Sequence, residues 1–282
     1  MKKGSKRIKK ISFNALVYLL VVFCTLLSMF PTIFAVVISI VTETNGQTMF
    51  ENPLDFFTGL TFENFIKVFN ESNIGRWILN SFIVAITQTI LYVLIASLAA
   101  FGFSRLKFKG RKIIFNICLL SMLVPGIINI VPNYIIISEL GLYDNLIGLI
   151  LPGLSGVSGV FLLKQFMRNI PKDFDEVARV EGASNFTIYR KVILPMCGPA
   201  LASLAIFTCQ GAWNDFLWPL LITSSDENRT LASGLYKTLM ADSQYRGSLM
   251  AASIISAIPI VIVFVFGQKY FTQGVGRGGL KG

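Results

Sequence analysis

Trp77–Ser104 reads WILNSFIVAITQTILYVLIASLAAFGFS, a run without a single Asp, Glu, Lys or Arg. About 20 apolar residues in a helix cross the hydrocarbon core of a bilayer, and this run exceeds that length. Lipid offers no partner to a free backbone N–H or C=O, so such a run is expected to be a helix. Further charge-free runs lie on either side of it, at Ile11–Val41, Ile113–Ser138, Asn145–Leu163, Val192–Asn214 and Gly247–Gln268. They predict an all-α, polytopic membrane protein of about six spans, near residues 14–41, 77–103, 113–136, 145–167, 197–222 and 247–271.

Composition agrees with this reading. The chain has 282 residues, 54% hydrophobic and 14% charged, whereas a soluble domain carries about 25% charged residues. The fourth run is interrupted by Pro152, Gly153, Gly156 and Gly159, and glycines three apart suit close helix–helix packing in lipid. The Lys-rich start and first run resemble a signal peptide superficially. The run is too long for one and has no suitably placed small-residue cleavage site, so a retained anchor is expected.

The net charge of +10 is a topology signal and not the footprint of a nucleic-acid partner, because the basic residues sit in short clusters between apolar runs. With the N-terminus inside, all of the 25 basic residues except Lys67, Arg76, Arg229, Lys237 and Arg246 fall on cytoplasmic segments. Both termini are then cytoplasmic: a basic segment at 1–10, a transmembrane domain at 11–271 and a glycine-rich tail at 272–282. The first outer loop, Thr42–Arg76, carries Phe50, Phe56, Phe57, Phe62, Phe65 and Phe69 among acids and predicts short amphipathic helices on the membrane surface.

Several chemistries are excluded. There is no His, which removes Ser–His and Cys–His nucleophile pairs, and no acidic cluster lies inside a span. Cys24, Cys118, Cys197 and Cys209 lie far apart in or beside apolar runs, without zinc spacing, and read as small buried hydrophobes. No Gly-x-x-x-x-Gly-Lys-Ser/Thr phosphate loop occurs. No catalytic residue, resident cofactor or metal is therefore expected.

The polar interval after the fourth run is the most informative. PKDFDEVARVEGASNFTIYRKVILP, residues 171–195, predicts a helix-turn-helix hairpin. Asp173 and Glu176 fit a capping box for a helix near Phe174–Glu181, with Phe174, Val177, Ala178 and Glu181 on one face. Gly182 then supplies the left-handed helix stop, Ser184 caps a second arm, and Pro195 opens the fifth span. A hairpin this short has no core of its own and is expected to bury apolar side chains against a partner.

These residues carry a resemblance. Glu176-Val177-Ala178, Gly182 six residues after the glutamate, and Val192-Ile193-Leu194-Pro195 resemble the Glu-Ala-Ala loop of binding-protein-dependent ABC importer permeases, with Val177 and Val192 as apolar replacements. Residues 211–219, GAWNDFLWP, and the tail Gly278-Gly279-Leu280-Lys281-Gly282 resemble the maltose-type carbohydrate permeases of that group. The resemblance implies a type I importer permease fold and transport of a sugar or oligosaccharide by alternating access. It also implies a second permease, a cytoplasmic ATPase dimer that binds ATP and magnesium, and an external solute-binding protein. The loop would dock on the ATPase through Glu176, Val177, Ala178, Arg179, Glu181, Gly182, Ala183, Leu194 and Pro195. Glu176 as a helix-capping residue, and Arg179, Arg190 and Lys191 as topology determinants, are compatible readings.

Asp215 is the one carboxylate inside an apolar run. A charge there is costly unless it meets a polar partner or a cavity. With Trp213, Asn214 and Phe216 it is suited to a sugar pathway, since sugars bind by stacking on rings and by hydrogen bonds to planar polar groups. Alternatively, Asp215 caps or pairs near the outer end of the span while the tryptophans form an interfacial belt. Two broader alternatives are an ion-coupled secondary carrier and a permease for another solute. The first would show ionisable residues on several spans and internal repeats, and neither is visible.

Overall fold

The computed structural model describes residues 2–42, 59–239 and 246–276. Among them there is no strand, only an isolated bridge between Val41 and Leu60. Among the described residues three helices are long and apolar enough to cross a membrane, or up to six spans if each of three bent helix pairs counts as one. Phe50, Phe56, Phe57 and the closing Gly278–Gly282 motif lie outside the described residues.

The chain divides into two compact units. The smaller comprises residues 1–72 and 238–255. Its first helix, α1 (Lys2–Ser39), continues without a break from the basic segment into the apolar run. The short α2 (Glu63–Glu71) is amphipathic, as the sequence predicts for this loop: Phe62, Ile66 and Phe69 are exposed while Asn64 and Val68 are buried. The Asn64 amide donates to the carbonyls of Ser39 (3.0 Å) and Val41 (2.7 Å), satisfying groups that the end of α1 leaves unpaired.

The larger unit, residues 73–237 and 256–282, is organised on α3 (Ile74–Arg105). After it come α4 (Arg111–Ser121), α5 (Ile130–Glu139), α6 (Leu146–Ile150) and α7 (Ser158–Arg168). The hairpin arms follow, α8 (Asp173–Val180) and α9 (Asn185–Met196), and then α10 (Gly198–Asn214), α11 (Leu217–Ile222) and α12 (Leu231–Leu239). The last helix, α13 (Arg246–Gly276), is shared between the units. The principal core packs α3 against α7 and α10, through Tyr92, Ala96, Ala100, Leu163, Met167, Ala200 and Leu204.

Three apolar runs are not straight. The third bends by 92° between Arg111–Ser121 and Gly126–Glu139, where Pro125 removes a donor. The fourth bends by 46° after Ser155, and the fifth by 80° between α9 and α10. Contrary to the expectation that Pro195 opens the fifth span, α9 runs through Pro195 and the span helix starts at Gly198, with Pro199 in its first turn. Pro is tolerated in a first turn because the missing N–H had no partner there.

The fourth-run glycines do pack against a neighbouring helix. A Cβ on Gly156 or on Gly159 would stand 2.7 Å from the Tyr92 hydroxyl, and one on Gly153 would strike the Gln88 amide. The Tyr92 hydroxyl in turn donates to the Gly156 carbonyl (3.0 Å) and accepts from the Gly159 N–H (2.9 Å). Small residues here let the fourth run and α3 approach closely, and their backbone supplies the polar contacts.

Candidate functional site

The hairpin is held by local backbone chemistry. Gly182 has φ +81, as the sequence predicts. The Gly182 N–H donates to the Arg179 carbonyl (3.0 Å) and the Ala183 N–H to that of Ala178 (2.9 Å). This is the Schellman arrangement that satisfies the last carbonyls of a helix. Ser184 caps the second arm, its hydroxyl accepting from the Thr187 N–H at 3.2 Å. Arg179 donates to Asn185 Oδ1 at 3.0 Å and fastens one arm to the other.

The first arm starts one residue earlier than predicted and without the capping box. Lys172 occupies the cap position and no side chain caps the helix, so Asp173 is helical. Asp173, Asp175 and Glu176 share the first turn, where negative charge offsets the exposed N–H dipoles. Glu176 is thus exposed and free of a capping duty.

The four residues expected on one face are divided. Ala178 turns into the protein core beside Ile188, Tyr189 and Ile193, whereas Phe174, Val177 and Glu181 stay exposed. Val180 (89% exposed) and Phe186 (63%) extend this outward row. The sequence reading missed both, although Phe174, Val177 and Val180 follow helical three-residue spacing. Among the other residues named for docking, Arg179 and Pro195 are exposed and Ala183 and Leu194 are half-buried against the core.

The second arm is locked to α3. The Tyr189 and Ser97 hydroxyls stand 2.7 Å apart, and the Tyr189 ring meets Phe101 edge-on at 5.4 Å. Ile188–Ile193 forms a π-helical turn, a local widening that recurs at functional sites. The first arm rests on an ion pair that sequence reasoning did not single out: Arg105 Nη1 stands 3.1 Å from Asp175 Oδ2. Arg105 looked like one more cytoplasmic charge, and Asp175 like one more acid at a helix start. A cleft of about 700 Å³ opens beside the pair, lined by Lys107, Arg111, Lys172, Glu176 and Arg179 among others.

The second candidate region lies at the break between α10 and α11. The Trp218 N–H donates to the Asp215 carboxylate at 3.4 Å, from just ahead of the short α11, whose cap position is Phe216. Trp213 is buried, donating to the Ser256 carbonyl (3.2 Å) and meeting Phe82 edge-on at 4.8 Å. Trp218 is also buried and donates to the Gly148 carbonyl at 3.1 Å. Both indoles are thus tied into the bundle by hydrogen bonds to backbone carbonyls. Asn214 is exposed, and Phe216 meets Tyr236 edge-on at 4.9 Å.

On the side of the bundle away from the hairpin, residues 222–231 are stitched down. Asp144 has φ +53, and its carboxylate accepts from the N–H groups of Ser224 (3.0 Å) and Ser225 (3.1 Å). Desolvation opposes ionisation of Asp144, yet the hydrogen bonds from Ser225 and Ser224 together hold its carboxyl below the ordinary value. Asn80 donates to the carbonyls of Glu227 (2.7 Å) and Arg229 (2.8 Å). No group of three or more metal-ligating side chains occurs among the described residues.

Comparison with known proteins gives this geometry a context. The family model described as "binding-protein-dependent transport system inner membrane component" matches residues 93–277. The arabinooligosaccharides transport system permease protein AraQ of Halalkalibacterium halodurans is 34% identical over 84% of this chain and 84% of its own. The trehalose/maltose transport system permease protein MalG of Thermococcus litoralis is 33% identical over 91% of this chain and 93% of its own. A chain from the crystal structure of a bacterial ABC transporter involved in alginate import superposes with a TM-score of 0.80 at 23% identity. That superposition covers 92% of this chain and 96% of the alginate-importer chain, and establishes a shared fold.

Proposed function

The chain belongs to the family of binding-protein-dependent transport system inner membrane components, the permeases of ABC importers, and from that premise we propose that it carries a sugar or oligosaccharide into the cell. Membership makes it a multi-pass membrane protein that works with a solute-binding protein, and sets aside the ion-coupled carrier. Saccharide as cargo is supported by relatives whose names specify arabinooligosaccharides and trehalose or maltose.

Both termini face the cytoplasm, as the distribution of Lys and Arg favours. A second, homologous permease completes the pathway, and a separate ATPase dimer binds ATP and magnesium. The observation that carries the coupling role is the hairpin's outward row, with Phe174, Val177, Val180 and Phe186 exposed on a segment whose inner side is locked to the spans. Apolar side chains on a rigid polar-flanked hairpin suit insertion into a groove of the ATPase, with Glu176, Arg179 and Glu181 at the rim. ATP-driven closure of the ATPase would move the hairpin and switch the spans between outward and inward access.

We place the pathway at the break around Asp215. Irregular backbone inside an apolar run is tolerated in a bilayer only where it is buried in protein or lines a cavity. Asn214 and the free face of Asp215 are the groups available to a sugar hydroxyl.

The test is co-purification. Solubilised gently, the complete importer is expected to retain an ATPase, and a variant lacking Glu176–Gly182 is expected to lose it. An ATPase that stays bound to the deletion variant would refute the docking role. Screening the cognate binding protein against mono- and oligosaccharides tests the cargo, and binding of a non-sugar solute alone would refute that assignment.

A further inference from the structure

Arg105 is the last residue of α3, yet its side chain is 3% exposed. Its guanidinium is shared among three elements. Nη1 pairs with Asp175 of α8 at 3.1 Å, while Nη2 donates to the carbonyls of Met167 (2.7 Å) and Ile170 (2.8 Å) at the end of α7. One side chain thus joins the second span, the end of the fourth and the first arm of the hairpin. We propose that Arg105 is a positioning residue for coupling, through which displacement of the hairpin is passed to α3 and α7 together. This inference rests on the reading that the hairpin docks on an ATPase.

The geometry favours this pair over the other contacts of α8. That helix buries only Asp175 and Ala178, and a methyl group offers little grip. Among the described residues, the bridge is the one side-chain ion pair or hydrogen bond from α8 to a spanning helix. Burial protects it from salt, which screens exposed pairs far more strongly. It is also intolerant of change, because Arg105 Nε and Asp175 Oδ1 are already buried without partners. Arginine suits the task, since its rigid planar fork holds a carboxylate and two carbonyls at fixed angles, whereas lysine presents a point charge on a flexible stem.

The experiment uses the complete importer in lipid and needs no knowledge of the cargo. Amide hydrogen exchange is compared before and after trapping with ATP and vanadate, in wild type, Asp175→Asn, Arg105→Lys and the exposed control Lys109→Gln. In wild type and control, trapping is expected to alter exchange in α8 and at the cytoplasmic ends of α3 and α7. In Asp175→Asn and Arg105→Lys, α8 is expected to respond as before while the response of α3 and α7 falls about fivefold or more, the lower range of typical coupling between sites. A purely architectural pair would not separate these responses. Equal responses in all four proteins would overturn the proposal, as would loss of the ATPase from both bridge variants. A wild-type importer that carries no ATPase would overturn the functional reading along with it.

Discussion

Replacing Gly159 with Ala puts a methyl group where the structure has the tip of a tyrosine. The new Cβ would lie 2.7 Å from Tyr92 Oη and 3.0 Å from both Leu204 methyl carbons. The hydroxyl cannot easily retreat, because it is hydrogen-bonded to the Gly156 carbonyl and the Gly159 N–H. Overpacking of this kind costs about 1–3 kcal/mol, against which alanine gains up to ~1 kcal/mol of helix propensity. With the full propensity gain the net runs from about 0 to a loss of about 2 kcal/mol. Gly102 inside α3 is the internal control, since its Cβ would meet nothing within 4 Å, and its replacement by Ala should stabilise by about 0.5–1 kcal/mol. Thermal unfolding of the detergent-solubilised protein reads the difference, at about 2–4 °C per kcal/mol for a chain of this size class. Tyr92→Phe removes the obstructing oxygen but strands the Gly159 N–H, which costs about 1–3 kcal/mol alone. The double variant should therefore cost less than the sum of the two single losses. Equal shifts for Gly159→Ala and Gly102→Ala, or strict additivity with Tyr92→Phe, would refute the packing argument.

Gly182→Ala forces a side chain into the left-handed region at φ +81. About 1–2 kcal/mol should be lost locally, seen as faster protease nicking between Val180 and Ser184 and weaker ATPase retention. Val177→Asp and Val180→Asp alter exposed positions, so unfolding midpoints should stay within ~0.5 kcal/mol of wild type while the ATPase dissociates; retained ATPase would count against the outward row as the docking surface. Asp144 has a folded pKa below its ordinary value, so its contribution is complete above that value and is lost as pH falls through the folded pKa. The acid-side loss of stability below about pH 4 should be shallower in Asp144→Asn, and an unchanged acid limb would refute the latch. Asp215→Asn keeps an acceptor for the Trp218 N–H, so assembly should survive; normal uptake with normal assembly would remove Asp215 from the pathway.

What was legible in the sequence was what is decided over a few residues. Gly182 and Ser184 announce a helix stop and a helix start because their conformational and hydrogen-bonding preferences act within one turn. The glycine spacing at 153, 156 and 159 predicted close packing for the same reason, though Tyr92 as the partner was hidden. Run length could not reveal the 92° bend in the third span, because hydropathy is summed without regard to direction and Pro125 is tolerated in straight spans as well. The Asp173 capping box failed because Asp175 is drawn inward by Arg105, 70 positions away, and tertiary pairing overrode the local preference. That same separation concealed the bridge: nothing in either residue's neighbourhood distinguishes it from a topology charge or a helix-end acid.

The contrast between unbroken α3 and the bent pairs that pack on it bears on how the chain is made. A broken span leaves backbone groups at its bend that lipid cannot satisfy, so the α6–α7 and α9–α10 pairs are poor candidates for solitary insertion. α3 satisfies its own backbone and leaves the ribosome before either of them. Tyr92, Arg105 and Ser97 then stand ready along it to receive, in chain order, Gly156 and Gly159, the end of α7, and Tyr189. The order of the segments in the chain is also a workable order of membrane integration, with the helix that serves as template synthesised before the segments that pack on it.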